Sequence, residues 1–180
     1  MTAKKRKQTG PKRALFIGRF QPVHNGHLHA IKKLLKKYDE VVVVIGSSED
    51  MFSKENPFTC GERIEMLRQC FSKADLARLI LVPVPDVNDN RIWVDHVLSH
   101  IPTVHDVYSN NALVKMLFSQ HGILVKSMDF LERTSKEGTF IRKLMAENDE
   151  SWKEHVPNKA AEYLESIEAD KRIRKIVRMG

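Results

Sequence analysis

The 180-residue sequence predicts an α/β fold: a parallel sheet of about five strands with flanking helices and a helical C-terminus. Short runs of β-branched and aliphatic residues alternate with segments whose apolar residues recur at helical spacing. Such alternation is typical of right-handed βαβ units, and therefore of a parallel sheet. Polar, glycine-containing loops follow several of the strands, which predicts that they share the edge where such sheets bind ligands.

Five segments are predicted to be strands. The clearest is Glu40–Gly46, because a continuous β-branched run is typical of a parallel strand buried on both faces. In chain order, the predicted strands span residues 14–17, 40–46, 78–83, 105–109 and 122–125.

The predicted helices lie between and after these strands. Leu28 and Ile31 begin the apolar side of the first helix, and Thr59 with Glu62 forms a capping-box pattern at the start of the second. Further helices are expected around residues 93–98, over 111–118, from about 139, and after Pro157.

Charge divides the chain into a basic tail, residues 1–13, and a single domain over 14–180. The net charge is +7, and the first thirteen residues carry six of these charges and no acid. We expect the tail to be disordered, and either a solubilising arm or an arm for RNA, phosphate or a compartment receptor. Nucleic acid is otherwise not favoured as a partner, since a charge-only tail binds it weakly and with strong salt dependence.

Apolar patterning and cysteine usage predict a cytoplasmic protein that does not associate with membranes. The sequence has no run of about 18 apolar residues and no apolar leader after its first residues. Cys60 and Cys70 are expected in one helix, about 15 Å apart along its axis, which is too far for a disulfide. We therefore expect reduced thiols, and no metal ligands on the chain.

The segment Gly18–His27 is the most informative one, because it joins the first strand to the first helix. A helix N-terminus has unpaired N–H groups and a positive dipole end, which favour phosphate. His24 and His27 can direct imidazole N–H groups at one anion, and Gly26 permits a close backbone approach. The pattern predicts phosphate chemistry.

The segment Glu137–Arg142 repeats this arrangement at the start of a later helix. Gly138 permits close approach, Thr139 offers a hydroxyl group, and Arg142 adds a positive charge one turn into the helix. The segment suits a polyphosphate, although an ordinary capped helix with a solvated arginine explains it equally well.

Both segments resemble signatures of the HxGH nucleotidyltransferase superfamily. Residues 18–27 match G-R-F-Q-P-x-H-x-G-H, and residues 138–142 match the end of I-S-G-T-x-I-R. The resemblance implies a Rossmann-like nucleotidyltransferase fold with His24, His27 and Arg142 as catalytic residues. It also implies ATP and phosphate binding by Gly18, Arg19, Phe20, Gln21, Gly26, Asn110, Gly138, Thr139 and Ile141.

Three further segments are similar to archaeal-type nicotinamide mononucleotide (NMN) adenylyltransferases: residues 56–63, 85–94 and 108–118. They imply an NMN site containing Asp86, Val87, Asn90 and Trp93. An indole can stack on the cationic nicotinamide ring, although Trp93 could instead pack in the core. Asp86 and Asn90 could hold the carboxamide or the ribose.

The sequence departs from the family pattern at two places. Glu137 stands where a serine is usual, and an acid repels a triphosphate unless it turns to solvent or meets a metal ion. Phe52 stands where the family often has a histidine, and a basic residue comes one position early as Lys54. Ser47, Lys54 and Arg63 remain weaker candidates for substrate contact, and Arg63 could be a surface helix residue.

The resemblance implies adenylyl transfer from ATP to NMN, giving NAD and pyrophosphate. Mg²⁺ would bridge ATP phosphates with few protein ligands. Two alternatives stay open, namely transfer to phosphopantetheine or flavin mononucleotide (FMN), and a non-catalytic nucleotide- or RNA-binding module. A homo-oligomer is compatible with the resemblance, and the use of nicotinic acid mononucleotide is left open.

Overall fold

A computed structural model describes residues 10–128 and 137–179, and within them the predicted parallel sheet is confirmed. Every pair of neighbouring strands is parallel, and the strand order is β3-β2-β1-β4-β5. The strands are Arg13–Gly18 (β1), Glu40–Ile45 (β2), Leu79–Pro83 (β3), Asp106–Tyr108 (β4) and Val125–Lys126 (β5).

Helices connect the strands and form the C-terminal part of the chain, as the sequence predicts. None of those in the described ranges is long and apolar enough to cross a membrane. A short helix, α3, and a 3-10 helix over Glu150–His155 were not predicted, because neither has an extended apolar pattern. The α-helices are Asn25–Leu35 (α1), Cys60–Gln69 (α2), Lys73–Leu76 (α3), Trp93–Ser99 (α4), Ala112–Gln120 (α5), Glu137–Ala146 (α6), Asn158–Ser166 (α7) and Ala169–Met179 (α8).

Two apolar layers cover the faces of the sheet. Alternate residues of β1 and β2, such as Val43 and Val44, point into different layers. Helices α1, α2, α6, α7 and α8 pack on the Val43 side, and α4 and α5 pack on the Val44 side. This arrangement places α1 and α6, which begin in the two phosphate motifs, on the same face.

The strand order reverses between β1 and β4. From β1 the chain moves outward to β2 and β3, and then returns to place β4 on the other side of β1. In open parallel sheets, a crevice for ligands forms at such a switch point, outside the carboxyl ends of the strands. The loops after β1 and β4 therefore flank the expected binding cleft.

Strand β5 begins at Val125, the last residue of the predicted span of 122–125. Gly122 has a φ of +71°, and its N–H donates to the carbonyl of Ser119. The N–H of Ile123 donates to the carbonyl of Phe118, so this segment terminates α5 instead of pairing with β4. The prediction was wrong because the apolar run mixes a helix terminus with a strand.

The folded part of the chain includes residues that the sequence assigns to the basic tail. Arg13 is the first residue of β1, and its Nε atom donates to Glu40 Oε2 at 2.6 Å. The N–H of Lys12 donates to Asp39 Oδ2 at 2.7 Å. Residues 1–9 of the tail lie outside the described residues.

Candidate active site

A cleft of about 680 Å³ opens at the carboxyl edge of the sheet. The loops that follow β1, β2, β3 and β4 line it, together with the first turn of α6. Most of the predicted site residues therefore meet in one cavity, which is the expected position for a ligand in this fold. Those that line it are Gly18, Arg19, Phe20, Gln21, His24, His27, Ser47, Asp86, Val87, Asn90, Trp93, Asn110, Gly138, Thr139 and Arg142.

His24 and His27 form a reciprocal capping box at the start of α1. His24 Nδ1 accepts the N–H of His27 at 3.4 Å, and His27 Nδ1 accepts the N–H of His24 at 3.3 Å. The two rings stack with their centroids 3.5 Å apart. Because each Nδ1 accepts a hydrogen bond, the proton of each neutral ring is assigned to Nε2, which can donate to a ligand.

Both histidines are neutral in the folded protein. Burial lowers the pKa of His24 to about 3. Burial, and then the neighbouring His24, lower the pKa of His27 well below its ordinary value. The pair therefore offers two N–H donors to an anion and no formal positive charge.

Phe20 holds the ring of His27 in place. Its φ of +56° turns the side chain back over Gly18, where an added Cβ would lie 3.1 Å from the Phe20 ring. The ring centroid of Phe20 lies 4.5 Å from that of His27, and Phe20 is 1% exposed. The absence of a side chain at Gly18 thus serves the packing of Phe20.

Glu137 approaches His24 and does not turn to solvent. Its Oε2 lies 3.4 Å from His24 Nδ1, and its side chain is 18% exposed. Since His24 is neutral and its Nδ1 already accepts a backbone N–H, this contact is not an ion pair. Burial raises the pKa of the Glu137 carboxyl, while His155 opposes the shift.

Arg142 ties the first turn of α6 to two loops of the cleft. Its Nη1 donates to the carbonyl of Gln21 at 2.8 Å, and its Nε donates to the carbonyl of Lys54 at 3.0 Å. Its Nη2 donates to Thr139 Oγ1 at 3.3 Å. Burial lowers the pKa of this guanidinium, but arginine remains charged at neutral pH. Arg142 therefore supplies positive charge beside the histidines.

Gly138 and Gln21 explain how closely α6 approaches the loop after β1. A Cβ at Gly138 would lie 3.2 Å from the carbonyl oxygen of Gln21. The Gln21 amide is engaged at both ends: its Nε2 donates to the carbonyl of Phe58, and its Oε1 accepts the N–H of Phe58. Both residues line the cleft, but their contacts hold loops together.

Ser47 and Asp86 form a polar pair between the loops after β2 and β3. The Ser47 hydroxyl donates to Asp86 Oδ2 at 2.6 Å, and Glu49 Oε1 accepts the N–H of Asp86 at 2.9 Å. Ser47 is buried with a φ of +48°. The structure thus gives Ser47 the role of orienting the carboxylate of Asp86.

Trp93 combines the two interpretations that the sequence left open. Its ring packs edge-to-face on Phe118, with centroids 6.0 Å apart and an interplanar angle of 86°. The residue is half-buried, and it also lines the cleft together with Val87 and Asn90. The indole is therefore anchored by the core and available to a planar ligand.

Asn110 uses its side chain to bridge β4 and the segment after β5. Its Nδ2 donates to the carbonyl of Met128, and its Oδ1 accepts the N–H of Met128, both at 3.0 Å. The neighbouring Asn111 caps α5 by accepting the N–H groups of Leu113 and Val114. These amides shape the rim of the cleft near the switch point.

Four predicted residues do not line the cleft. Gly26 is the second residue of α1, Ile141 is buried in the core, and Lys54 is exposed and contributes its carbonyl to Arg142. The suggestion that Arg63 lies on a helix surface was wrong, because its side chain is 0% exposed. The guanidinium of Arg63 finds its hydrogen-bond partners among backbone carbonyls, which no short sequence pattern reveals.

Phe52 also lies outside the cleft lining. The residue is 56% exposed, and the guanidinium of Arg172 lies 5.4 Å from the centroid of its ring. Arg172 in turn forms a bidentate ion pair with Glu62, with both distances 2.7 Å. The position at which the family often has a histidine is thus packed against α8.

Among the further lining residues that sequence reasoning did not select as site residues are Asn88, Ser109 and Gly46. Ser109 and Gly46 directly follow β4 and β2, so their position at a strand end was the available signal. Across residues 10–128 and 137–179, histidine, cysteine and acidic side chains form no group of three that could hold a metal ion. Among the described residues that line the cleft, Asp86 is the one acidic residue.

The chain is similar to known proteins over most of its length. The model of the cytidylyltransferase-like family matches residues 15–159. A nicotinamide-nucleotide adenylyltransferase of Caldivirga maquilingensis is 40% identical over 167 residues, covering 92% of this chain and 94% of that protein. The corresponding protein of Picrophilus torridus is 43% identical over 162 residues, covering 90% of this chain and 95% of its own length.

The fold is similar to that of a solved bifunctional NMN adenylyltransferase/ADP ribose pyrophosphatase from Francisella tularensis, which was crystallised with AMP and a manganese ion. The TM-score is 0.71 at 21% identity over 94% of this chain. The chain spans about half of that bifunctional protein, 52% of its length.

Proposed function

Because the chain belongs to the cytidylyltransferase-like family and, within it, to the nicotinamide-nucleotide adenylyltransferases, we propose that its cleft joins ATP and NMN to NAD and pyrophosphate. The observation that carries the proposal is the convergence of three segments on one cavity: the histidine pair, the first turn of α6, and the loop that contains Asp86 and Trp93. Two of these segments suit phosphate, and the third suits a flat, cationic base.

The reaction requires little covalent chemistry from the protein. The 5′-phosphate of NMN attacks the α-phosphorus of ATP in line, and pyrophosphate leaves. An ionised phosphate is already a nucleophile, so no general base is needed. Catalysis then consists of positioning the two substrates and stabilising negative charge in the transition state.

His24 and His27 donate their Nε2–H groups to phosphate oxygens, and His27 is our choice for the α-phosphate. The assignment is supported by the capping box, which directs each proton to Nε2, and by the low pKa values, which keep both rings neutral. Preorganised neutral donors of this kind resemble an oxyanion hole, where one donor contributes about 100- to 1,000-fold in rate.

Arg142 and Thr139 hold the leaving pyrophosphate, with the first turn of α6 beside them. The hydrogen bonds of Arg142 to Gln21, Lys54 and Thr139 use three of its five N–H groups, so its fork is fixed before ATP arrives. Arg19 is exposed, lines the same cleft and screens the reacting phosphates.

NMN occupies the side of the cleft that contains Trp93, which stacks on its nicotinamide ring. The edge-to-face contact with Phe118 fixes the plane of the indole in advance. Asp86, oriented by Ser47, and Asn90 hydrogen-bond the ribose or the carboxamide.

A divalent ion such as Mg²⁺ would be carried by the phosphates of ATP rather than by ligands of this chain. The donor set fits such a substrate-borne ion, because Asp86 is a single carboxylate at the cleft and octahedral magnesium readily keeps several waters. The ion lowers the charge repulsion between the two substrates.

Pyrophosphate release tests the proposed function. The purified protein is assayed with MgATP and, separately, NMN, nicotinic acid mononucleotide, FMN and phosphopantetheine. We expect release with NMN and formation of NAD in equal amount. Release only with FMN or phosphopantetheine would change the acceptor, and no release with any acceptor would favour a binding module.

A further inference from the structure

Arg63 is buried completely, although it carries a positive charge. It lies in α2, and none of its side chain is exposed to solvent. A buried charge is costly unless its surroundings compensate it. Burial lowers the pKa of this guanidinium, and the nearby Asp50 and Glu49 oppose the shift. A residue kept at this cost must contribute something that an apolar side chain cannot.

Every N–H group of Arg63 donates to a backbone carbonyl. A guanidinium has five such groups, so no donor remains for a substrate. This excludes the role in substrate contact that the sequence suggested. The acceptors are Thr59 (Nε, 3.3 Å), Arg19 (Nη1, 3.1 Å), Gly46 (Nη1, 2.9 Å), Ser47 (Nη2, 2.9 Å) and Ser48 (Nη2, 3.4 Å).

Two of these carbonyls belong to strained turns. The carbonyl of Arg19 is in the peptide group before Phe20, whose φ is +56°, and the carbonyl of Gly46 is in the peptide group before Ser47, whose φ is +48°. The left-handed conformation costs a residue other than glycine about 1–2 kcal/mol. Arg63 thus binds the peptide groups whose orientation depends on these two conformations.

The two turns carry different parts of the cleft lining. The first places Phe20 against His27, with ring centroids 4.5 Å apart, and the second places the Ser47 hydroxyl on Asp86. In the described part of the chain, one backbone hydrogen bond continues the pairing of β1 and β2 past the end of β2: the N–H of Gly46 donates to the carbonyl of Gly18. This bond alone does not fix the two loops that follow. The side chain of Arg63 donates hydrogen bonds to carbonyls of both turns.

We propose that Arg63 is a positioning residue for adenylyl transfer: it fixes the turns after β1 and β2 relative to each other, and so aligns the ATP side of the cleft with the NMN side. This inference rests on the proposed function. An in-line reaction between two bound substrates is sensitive to such alignment, since a misplacement of about 1 Å can cost about 100-fold in rate.

Arg63→Lys tests the proposal, because lysine keeps the charge but has three donors and no planar fork. The matched control is Arg78, which donates to the carbonyls of Leu35, Tyr38 and Asp39 at the amino edge of the sheet, away from the cleft. At saturating ATP and NMN, below the unfolding temperature, we expect Arg63→Lys to lower kcat about 100-fold. Arg78→Lys should keep kcat within about twofold, even if its Tm falls as far as that of Arg63→Lys.

Arg63→Met separates alignment from charge, and we expect it to lower kcat at least as much as Arg63→Lys. An unchanged kcat in the lysine variant, or equal losses in the Arg63 and Arg78 variants, would overturn the proposal. The proposal would also be overturned if both Arg63 variants failed to fold while Arg78→Lys folded, since that would assign Arg63 to stability alone. A wild-type protein that makes no NAD would contradict the proposed function itself, whereas an active wild type with an indifferent Arg63 contradicts only this inference.

Discussion

His27 has an observed structural role and a proposed chemical role, and substitution can separate the two. Its Nδ1 caps the N–H of His24, and its Nε2–H is available to a phosphate. Glutamine at this third helical position also completes a capping box, but it lacks a donor fixed where Nε2 lies. We expect His27→Ala to lose both roles, and His27→Gln to recover stability without recovering activity.

Urea unfolding and steady-state kinetics on the two variants measure this separation. Both should lower kcat by about 100- to 1,000-fold, the usual effect of removing one preorganised donor. Only His27→Ala should lose about 1 kcal/mol of stability with the cap. Turnover close to that of the wild type in the glutamine variant would remove the Nε2–H group from the mechanism.

The lowered pKa of His24 predicts how the stability of the protein depends on pH. Its folded pKa of about 3 lies below the ordinary value of 6.5, so between these values the unfolded chain binds a proton that the folded chain does not. Stability therefore falls as the pH is lowered below about 6.5 and keeps falling towards about 3. At pH 5 the difference amounts to about 2 kcal/mol for one such histidine.

His24→Asn isolates this contribution, because asparagine also accepts a hydrogen bond at a helix N-cap but does not titrate. In urea unfolding at pH 7.5 and pH 5, we expect the variant to lose about 2 kcal/mol less than the wild type. Equal losses in the two proteins would show that His24 is not kept neutral by the fold.

At the scale of elements, α2 and α6 place a glycine at the same helical position with different surroundings. Gly61 and Gly138 are each the second residue of their helix. A Cβ at Gly61 would come no closer than 4.0 Å to Thr59 Oγ1, whereas one at Gly138 would lie 3.2 Å from the backbone of Gln21. Alanine should therefore be tolerated in α2, but should push α6 away from the loop after β1.

Gly61→Ala should raise the free energy of unfolding by about 0.4–1 kcal/mol, since alanine has the higher helix propensity. Gly138→Ala should gain nothing and should lower kcat/KM for ATP about tenfold, because Arg142 moves with the helix. Kinetics and urea unfolding on both variants provide the comparison. If Gly138→Ala behaves like Gly61→Ala, the close approach of α6 is not required for activity.

The two capping boxes show which element boundaries a sequence discloses. Thr59 and Glu62 use residue types that favour these positions, so the start of α2 was predicted and both bonds are present. His24 and His27 make the same pair of bonds at α1, but histidine is an unusual N-cap, and the pattern was interpreted only as phosphate chemistry. A histidine pair that suits phosphate can thus also cap a helix, which its residue type does not indicate.

At the scale of the molecule, alternation of strands and helices was enough to predict the parallel sheet and the edge at which the site lies. Long-range contacts were not predictable in this way. Arg63 could be interpreted as a surface residue because its five acceptors are backbone atoms, four of them 15 to 44 positions away in the chain. The packing of Phe52 under Arg172 depends on α8, the last helix, so the departure at position 52 could be seen but not explained.

The cleft as a whole predicts that the two substrates stabilise the protein through different residues. A ligand at about 100 times its Kd stabilises the folded state by about 2.7 kcal/mol, which raises the Tm of a chain of this size by about 5–10 °C. In Arg142→Met, MgATP should raise the Tm by much less than it does in the wild type. In Trp93→Ala, MgATP should raise the Tm by about the wild-type amount. NMN should raise the Tm of Arg142→Met by about the wild-type amount and that of Trp93→Ala by much less, because we propose that NMN binds beside Trp93.

Thermal unfolding with each ligand, together with KM values for both substrates, measures this division. Each variant has its own baseline Tm, so the cost of losing the carbonyl bonds of Arg142 or the Phe118 contact of Trp93 cancels in the ligand-induced shift. The KM for NMN should rise in Trp93→Ala far more than the KM for ATP. If Trp93→Ala reduces both shifts equally, the indole acts only through packing, and the acceptor side of the cleft must be assigned to Asp86 and its neighbours.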